Sequence, residues 1–193
     1  MAPSSPRRRL ERAVRRNEIV EAATALIAAR GYRGLTLAQF ADSCGMTVAG
    51  MLHHFASREE LLVAVLDNRD RVDAAVTGFP RDLHASPLEA RAALDAIVAH
   101  NIEQRGIISL YTILGAESLD PSHPASEYFA ARLAESVSIV ASLVSSWHPN
   151  PESFAIQTIA FMDGLQLNWL RDPSIDFAGE WARFADRIFV EVS

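Results

Sequence analysis

Lysine is absent from this 193-residue chain, and all eighteen basic side chains are arginine. Each fixed positive charge is therefore a planar fork suited to phosphate and guanine. Cysteine is nearly absent too: Cys44 stands alone, so no internal disulfide can form, as expected of a reducing compartment. No apolar run approaches the length of a membrane span; the stretch around Ala25–Ala29 is far too short. The basic N-terminus runs into Glu18 and Glu21 where a secretion signal needs an uncharged core, which predicts a cytoplasmic protein. Runs of alternating β-branched residues bounded by turn chemistry are missing as well. So are a nucleophile–base pairing, a glycine-rich phosphate loop and a metal signature. His100, Glu103, His123 and Cys44 are scattered, with His100–Glu103 the one pair at useful spacing. No enzymatic activity, cofactor or metal site is expected.

What is present is a charge asymmetry. Residues 1–58 carry nine arginines and four acids, a net +5, whereas residues 59–193 carry nine arginines and twenty acids, a net −11. A basic head on an acidic body places a polyanion at the head alone.

Helical periodicity fills the rest. Ile19, Ala23, Leu26 and Ile27 share a face and stop at Gly31. Thr36 caps a short helix over Leu37–Ala41, Thr47 caps another over Val48–His53, and Ser57 with Glu60 forms a capping box for a longer one through Leu66. Helices are predicted from Leu88 to Asn101 and from Ile107 to Ser118. Phe129, Leu133, Val137, Val140, Val144 and Trp147 recur at spacings of four and three, as one long helix requires. Glu152–Arg171 and Phe177–Val190 complete an all-α chain. Met1–Arg9, rich in Pro, Ser and Arg, is read as a mobile tail opening a basic arm of Arg7, Arg8, Arg9, Arg12, Arg15 and Arg16.

Short helix, tight turn and short helix form the arrangement in which a second helix enters the major groove. Here the turn is Asp42–Ser43–Cys44–Gly45–Met46, with Gly45 free to take a positive φ. The wider string is Glu18-Ile-Val-Glu-Ala-Ala-Thr-Ala-Leu-Ile-Ala-Ala-Arg-Gly-Tyr32, then Thr36-Leu-Ala-Gln-Phe-Ala41, Cys44-Gly-Met-Thr47 and His54-Phe-Ala-Ser-Arg-Glu-Glu-Leu-Leu62. It resembles the DNA-binding domain of the tetracycline-repressor (TetR) family. Gly115–Pro124 and Asp163–Pro173 are similar to segments common in that family. The resemblance implies a basic arm and helix-turn-helix head over 1–56, and an effector-binding and dimerisation body over 57–193. It further implies a homodimer that represses transcription from a pseudo-palindromic double-stranded operator until a small-molecule effector releases it. A ligand-independent architectural DNA-binding protein is the alternative. Departures from the family pattern are Ala49 and Gly50 in place of Gly then Thr or Ser, Leu52 in place of a phosphate-touching Tyr, and Arg58 in place of Lys.

In the head, Thr36 and Thr47 place a hydroxyl and free N–H groups where phosphate can bind, with capping alone as the simpler role. Val48, Gly50 and His53 are expected to face the groove, with Gln39 at its edge; Arg9, Arg12 and Arg58 supply charge to the phosphates. His54 is expected to pack. In the body, Ile97, Asn101, Tyr111, Leu114, Glu117, Phe129, Leu133, Phe161, Met162 and Leu165 are candidates to face a ligand, most of them core under any function. Asn101, Tyr111 and Glu117 stand out because a buried polar group needs a partner, although Glu117 can also pair with Arg132. The family's bundle of last helices implies a dimer interface at Phe154, Trp169, Phe177, Trp181 and Phe184.

Overall fold

The computed structural model describes the backbone of residues 6–76 and 85–190, and the side chains of 11–72 and 85–190. The described residues form nine α-helices and no strand: α1 (Pro6–Arg30), α2 (Leu37–Ser43), α3 (Val48–His54), α4 (Arg58–Val76), α5 (Pro87–Glu103), α6 (Arg105–Glu117), α7 (Ser126–Val144), α8 (Pro151–Arg171) and α9 (Phe177–Ile188).

Local chemistry explains most boundaries. Thr36 accepts the Gln39 N–H while the Gln39 side chain accepts the Thr36 N–H at 2.8 Å, a complete capping box. The Ser57 hydroxyl accepts from the Glu60 N–H at 3.1 Å, and the Glu60 carboxylate accepts from the Ala56 N–H at 2.6 Å. Ser86 and Glu89 repeat the box at α5. Between α2 and α3 the chain reverses through Gly45 at φ 61°, and the N–H groups of Cys44 and Met46 both reach Ala41 O. The start of α1 differs from expectation. Backbone from Pro6 onward is helical, so the tail read as mobile through Arg9 is a helix over its last residues. Alanine, arginine and glutamate are strong helix formers, and no apolar stripe is needed to continue a helix already nucleated at Ile19–Ile27.

Two apolar cores share α6 as a wall. The first joins Ile19, Ala23 and Ile27 of α1 to Phe40, Met51, Phe55, the Leu61–Leu62 and Val65–Leu66 pairs of α4, and Leu110 and Leu114 of α6. It thus draws residues from both sides of position 57. The second gathers α5, α7, α8 and α9 around Leu94, Leu143, Phe154, Trp169, Phe177 and Trp181, with Ile108 of α6. The ring of Trp169 stacks on Phe177 at 5.3 Å, and Trp181 Nε1 donates to Asp95 at 2.6 Å.

Head and body meet where α1 crosses α6. Gly106 makes that crossing close: a Cβ there would lie 3.0 Å from Ile27 O and 3.4 Å from Ala28 Cα. Those are backbone atoms of a helix, which cannot swing aside. Gly106→Ala should therefore lower stability in urea denaturation, although helix propensity alone predicts a gain of about 1 kcal/mol. A stabilised variant would show that the crossing has slack.

Candidate nucleic-acid interface

The two short helices present their N-termini and one face of α3 to solvent. Thr36, Gln39, Thr47, Val48, Ala49, Leu52 and His53 are exposed, Gly50 is partly so, and Met51 and Phe55 are buried beneath them. Val48 is 39% and Leu52 46% accessible, high for large apolar side chains on a helix of seven residues. Gly50 is held closely from within: a Cβ would meet Met46 Cε at 3.3 Å and Thr47 Oγ1 at 3.4 Å. Thr47 Oγ1 accepts the Gly50 N–H at 3.1 Å, so its hydroxyl serves the cap. Gln39, expected at the groove edge, is exposed, and its side-chain oxygen belongs to the Thr36 box.

Four arginines of the head, Arg12, Arg15, Arg16 and Arg58, engage protein oxygens. Arg58, expected at phosphate, turns inward. Its Nε donates to Leu35 O at 2.9 Å, Nη2 donates to Tyr32 O at 3.2 Å, and its guanidinium lies over the Tyr32 ring. Arg12 donates to His53 O at 3.2 Å, and Arg15 to Cys44 O at 2.9 Å. Arg16 donates to His54 O, pairs with Glu60 at 3.0 Å and sits 3.9 Å above the Phe55 ring. The side chain of Arg9 lies outside the described residues. His54 packs as expected. Its Nδ1 is buried without a hydrogen-bond partner, and burial first, then His53 and the arginines of α1, push the imidazole below its ordinary range. It stays neutral at physiological pH.

In the body, the sequence reasoning missed the main polar cluster. Asp70 of α4 accepts from the Tyr111 hydroxyl at 2.5 Å, the Tyr128 hydroxyl at 2.8 Å and Arg132 Nε at 3.0 Å. Arg132 lies over the Tyr111 ring at 4.3 Å, with Arg69 on that ring at 5.0 Å. Burial works to raise the Asp70 carboxyl, but Arg132 and the two hydroxyls outweigh it, and the net direction is down. Burial above all pushes the Tyr111 hydroxyl up to about 12, so it remains a donor. A signal was present in the sequence: Asp70 follows Leu62 and Leu66 at intervals of four, which places it on the inward face.

The other body candidates divide. Asn101 is buried and accepts from Arg69 at 2.5 Å. Phe129 meets Tyr111 and Tyr128 edge to face, so Asn101, Tyr111 and Phe129 all border the cluster. Ile97 and Met162 pack in the second core and Leu114 in the first. Glu117 is exposed, and Arg132, its candidate partner, pairs with Asp70 instead. Leu133 is 54% exposed, because Arg132 takes the inward position three residues after Phe129. Phe161 and Leu165 border an open cleft between α8 and α9 with Gly164, Asn168 and Ile175. Of the residues expected between subunits, Phe154, Trp169, Phe177 and Trp181 are at most 8% exposed within one chain. Their area is spent on the subunit's own second core. Phe184 alone of that set stays at the surface, half-buried and stacked on Phe161 at 3.8 Å.

Comparison with known proteins bears on the head first. Residues 19–65 match the family model described as bacterial regulatory proteins, tetR family. A curated relative, the HTH-type transcriptional repressor KstR2 of Rhodococcus jostii, is 36% identical over 89 residues, which are 46% of this chain and 42% of the relative. The match thus spans less than half of the relative's length. The fold extends further. A structure of a TetR-family regulator candidate from Rhodococcus sp. superposes with a TM-score of 0.73 at 21% identity, covering 91% of this chain and 99% of that one. The fatty acid degradation regulator FadR from Bacillus halodurans gives 0.67 at 12% identity, with 92% and 99% covered.

The Asp70 cluster yields a pH-dependent test. Asp70 and Arg132 are each about a third exposed, so solvent screening moderates the pair. Asp70→Asn should cost roughly 1–3 kcal/mol at neutral pH in urea denaturation. A carboxylate lowered by folding adds stability above its unfolded range and loses it as pH falls through the folded value. The gap between wild type and Asp70→Asn should therefore be full above about pH 5 and narrow below about pH 4. A gap constant down to pH 3 would remove the carboxylate from the account.

Proposed function

We propose that this chain, whose residues 19–65 match the family model of bacterial regulatory proteins, tetR family, is a homodimeric repressor of transcription that leaves its operator when a small molecule binds the body. One observation carries the DNA-binding role. The α3 face from Thr47 to His53 is open to solvent, free of acids, and backed by a rigid mini-core. A helix in that setting can lie in a major groove with its N-terminal N–H groups and Thr47 against phosphate. Val48 is placed for a thymine methyl and His53 for a base edge or phosphate, while Gly50 allows close approach. Few of these side chains are long, so shape and backbone contacts carry a large share of recognition. In a gel shift on the duplex immediately upstream of its own gene, the protein should form a competitor-resistant complex, and Val48→Asp should abolish it while leaving the fold intact. Equal retention of unrelated duplexes would overturn the role.

Dimerisation through α8 and α9 is supported by the cleft that holds Gly164. A Cβ at Gly164 meets nothing within 4 Å inside the subunit, so a glycine at mid-helix is not required by this chain's own packing. A second copy packed closely on Phe161, Gly164 and Phe184 supplies the reason. Gly164→Arg should leave the helical content unchanged and convert a dimer to a monomer by size-exclusion light scattering. A wild-type monomer at micromolar concentration would sink the dimer.

Effector release is supported by the position of Asp70. Helix α4 carries Leu61–Leu66 into the head core and Asp70 into the body cluster, so a ligand that draws Arg132 or Tyr111 away from Asp70 acts on the helix that supports the head. The name of FadR attaches fatty acid degradation to that relative; for this chain the ligand's class is left to a thermal-shift screen.

A further inference from the structure

Arg12, Arg15 and Arg16 lie at relative positions one, four and five of a helix, so they share one face of α1. That face is turned to the ends of the helix-turn-helix. Carbonyls in the last turn of a helix have no intrahelical donor. In α3 these include His53 O and His54 O, since the Phe55 N–H already goes back to Met51 O. Arg12 Nη2 donates to the first and Arg16 Nη1 to the second. Arg15 Nη2 donates to Cys44 O, the residue that ends α2. Arg16 then joins Glu60, the side chain that accepts from Ala56 N–H and so starts α4, and covers the Phe55 ring that closes the mini-core. The C-termini of both short helices and the N-terminus of α4 are thus gripped from one helix.

We propose that Arg12, Arg15 and Arg16 are positioning residues for DNA recognition: they set the tilt of α3 by capping the carbonyls at the ends of α2 and α3, and are not phosphate ligands. The proposal rests on the DNA-binding role above. Its physical basis is the shortness of α3. Two turns of helix bury only Met51, with Phe55 just beyond, and two buried side chains define an axis poorly. The exposed Val48, Ala49 and Leu52, with half-buried Gly50 among them, are short, so they cannot reach across a groove to correct a misplaced axis. Guanidinium forks that bind carbonyls on both helices hold that axis, and positive charge at the C-terminus of α3 complements its dipole. A guanidinium committed to carbonyls also has fewer donors for phosphate.

The test uses the full-length protein and a duplex that the wild type selects from a random pool, beside a random-sequence duplex. Arg12→Lys, Arg15→Lys and Arg16→Lys keep the charge and lose the fork. Each should bind the selected duplex roughly tenfold more weakly and the random duplex within about twofold of wild type, with the slope of log Kobs against log salt unchanged. Circular dichroism and melting curves restrict the comparison to folded variants; Arg12→Lys and Arg15→Lys carry it if Arg16→Lys does not fold. Phosphate ligands behave otherwise. Retained affinity in the lysine variants, with the slope falling by about 0.9 for each Arg→Ala change, would overturn the proposal. Parallel losses on both duplexes would overturn it too. A wild type that selects no duplex would fail earlier, at the DNA-binding role itself, and take the proposal with it.

Discussion

A bundle of short helices is limited by the carbonyls left over at its helix ends, and here arginine supplies many of the missing donors. Arg16 covers His54 O while lying on Phe55. Arg58 likewise donates to Tyr32 O and Leu35 O, in the loop between α1 and α2, while lying over Tyr32. Arg105 repeats the device in the body, donating to Trp169 O at 3.1 Å and Leu170 O at 2.8 Å with its Cζ 4.4 Å from the Trp169 ring centroid. In each case the flat ion lies over an aromatic ring and donates from its edge to backbone oxygen, a geometry the tetrahedral ammonium of lysine cannot reproduce. The all-arginine composition thus has a structural use apart from any nucleic acid.

The same constraint reshapes the electrostatics of the head. The net +5 of residues 1–58 suggests a surface ready for phosphate, yet Arg12, Arg15, Arg16 and Arg58 are already engaged with protein oxygens. Their charge still contributes to the long-range potential that draws a polyanion toward the head.

Helices α4 and α6 tie that head to the body. α4 puts Leu62 and Leu66 into the first core and Asp70 into a cluster with residues of α6 and α7; α6 faces both cores. Asp70 and the residues that support α3 therefore lie on one continuous helix. Close packing of Gly106 on the backbone of α1 gives the junction little freedom.

The order of helices, their caps and the turn at Gly45 were legible in the sequence because they depend on neighbours three or four residues away. Thr36 with Gln39, Ser57 with Glu60 and the apolar faces of α1 and α4 are settled at that range. The inward position of Asp70 was equally readable from its register with Leu62 and Leu66, and was passed over because apolar residues define a core more visibly than a lone acid does. Other features were decided only by tertiary structure. An apolar face specifies burial without specifying the partner, so Trp169 and Trp181 read as subunit contacts until α5 and α9 were seen to cover them. A positive charge specifies attraction without specifying the acceptor, so the sequence did not reveal that Arg12, Arg16 and Arg58 meet backbone carbonyls brought from 41, 38 and 23 residues away.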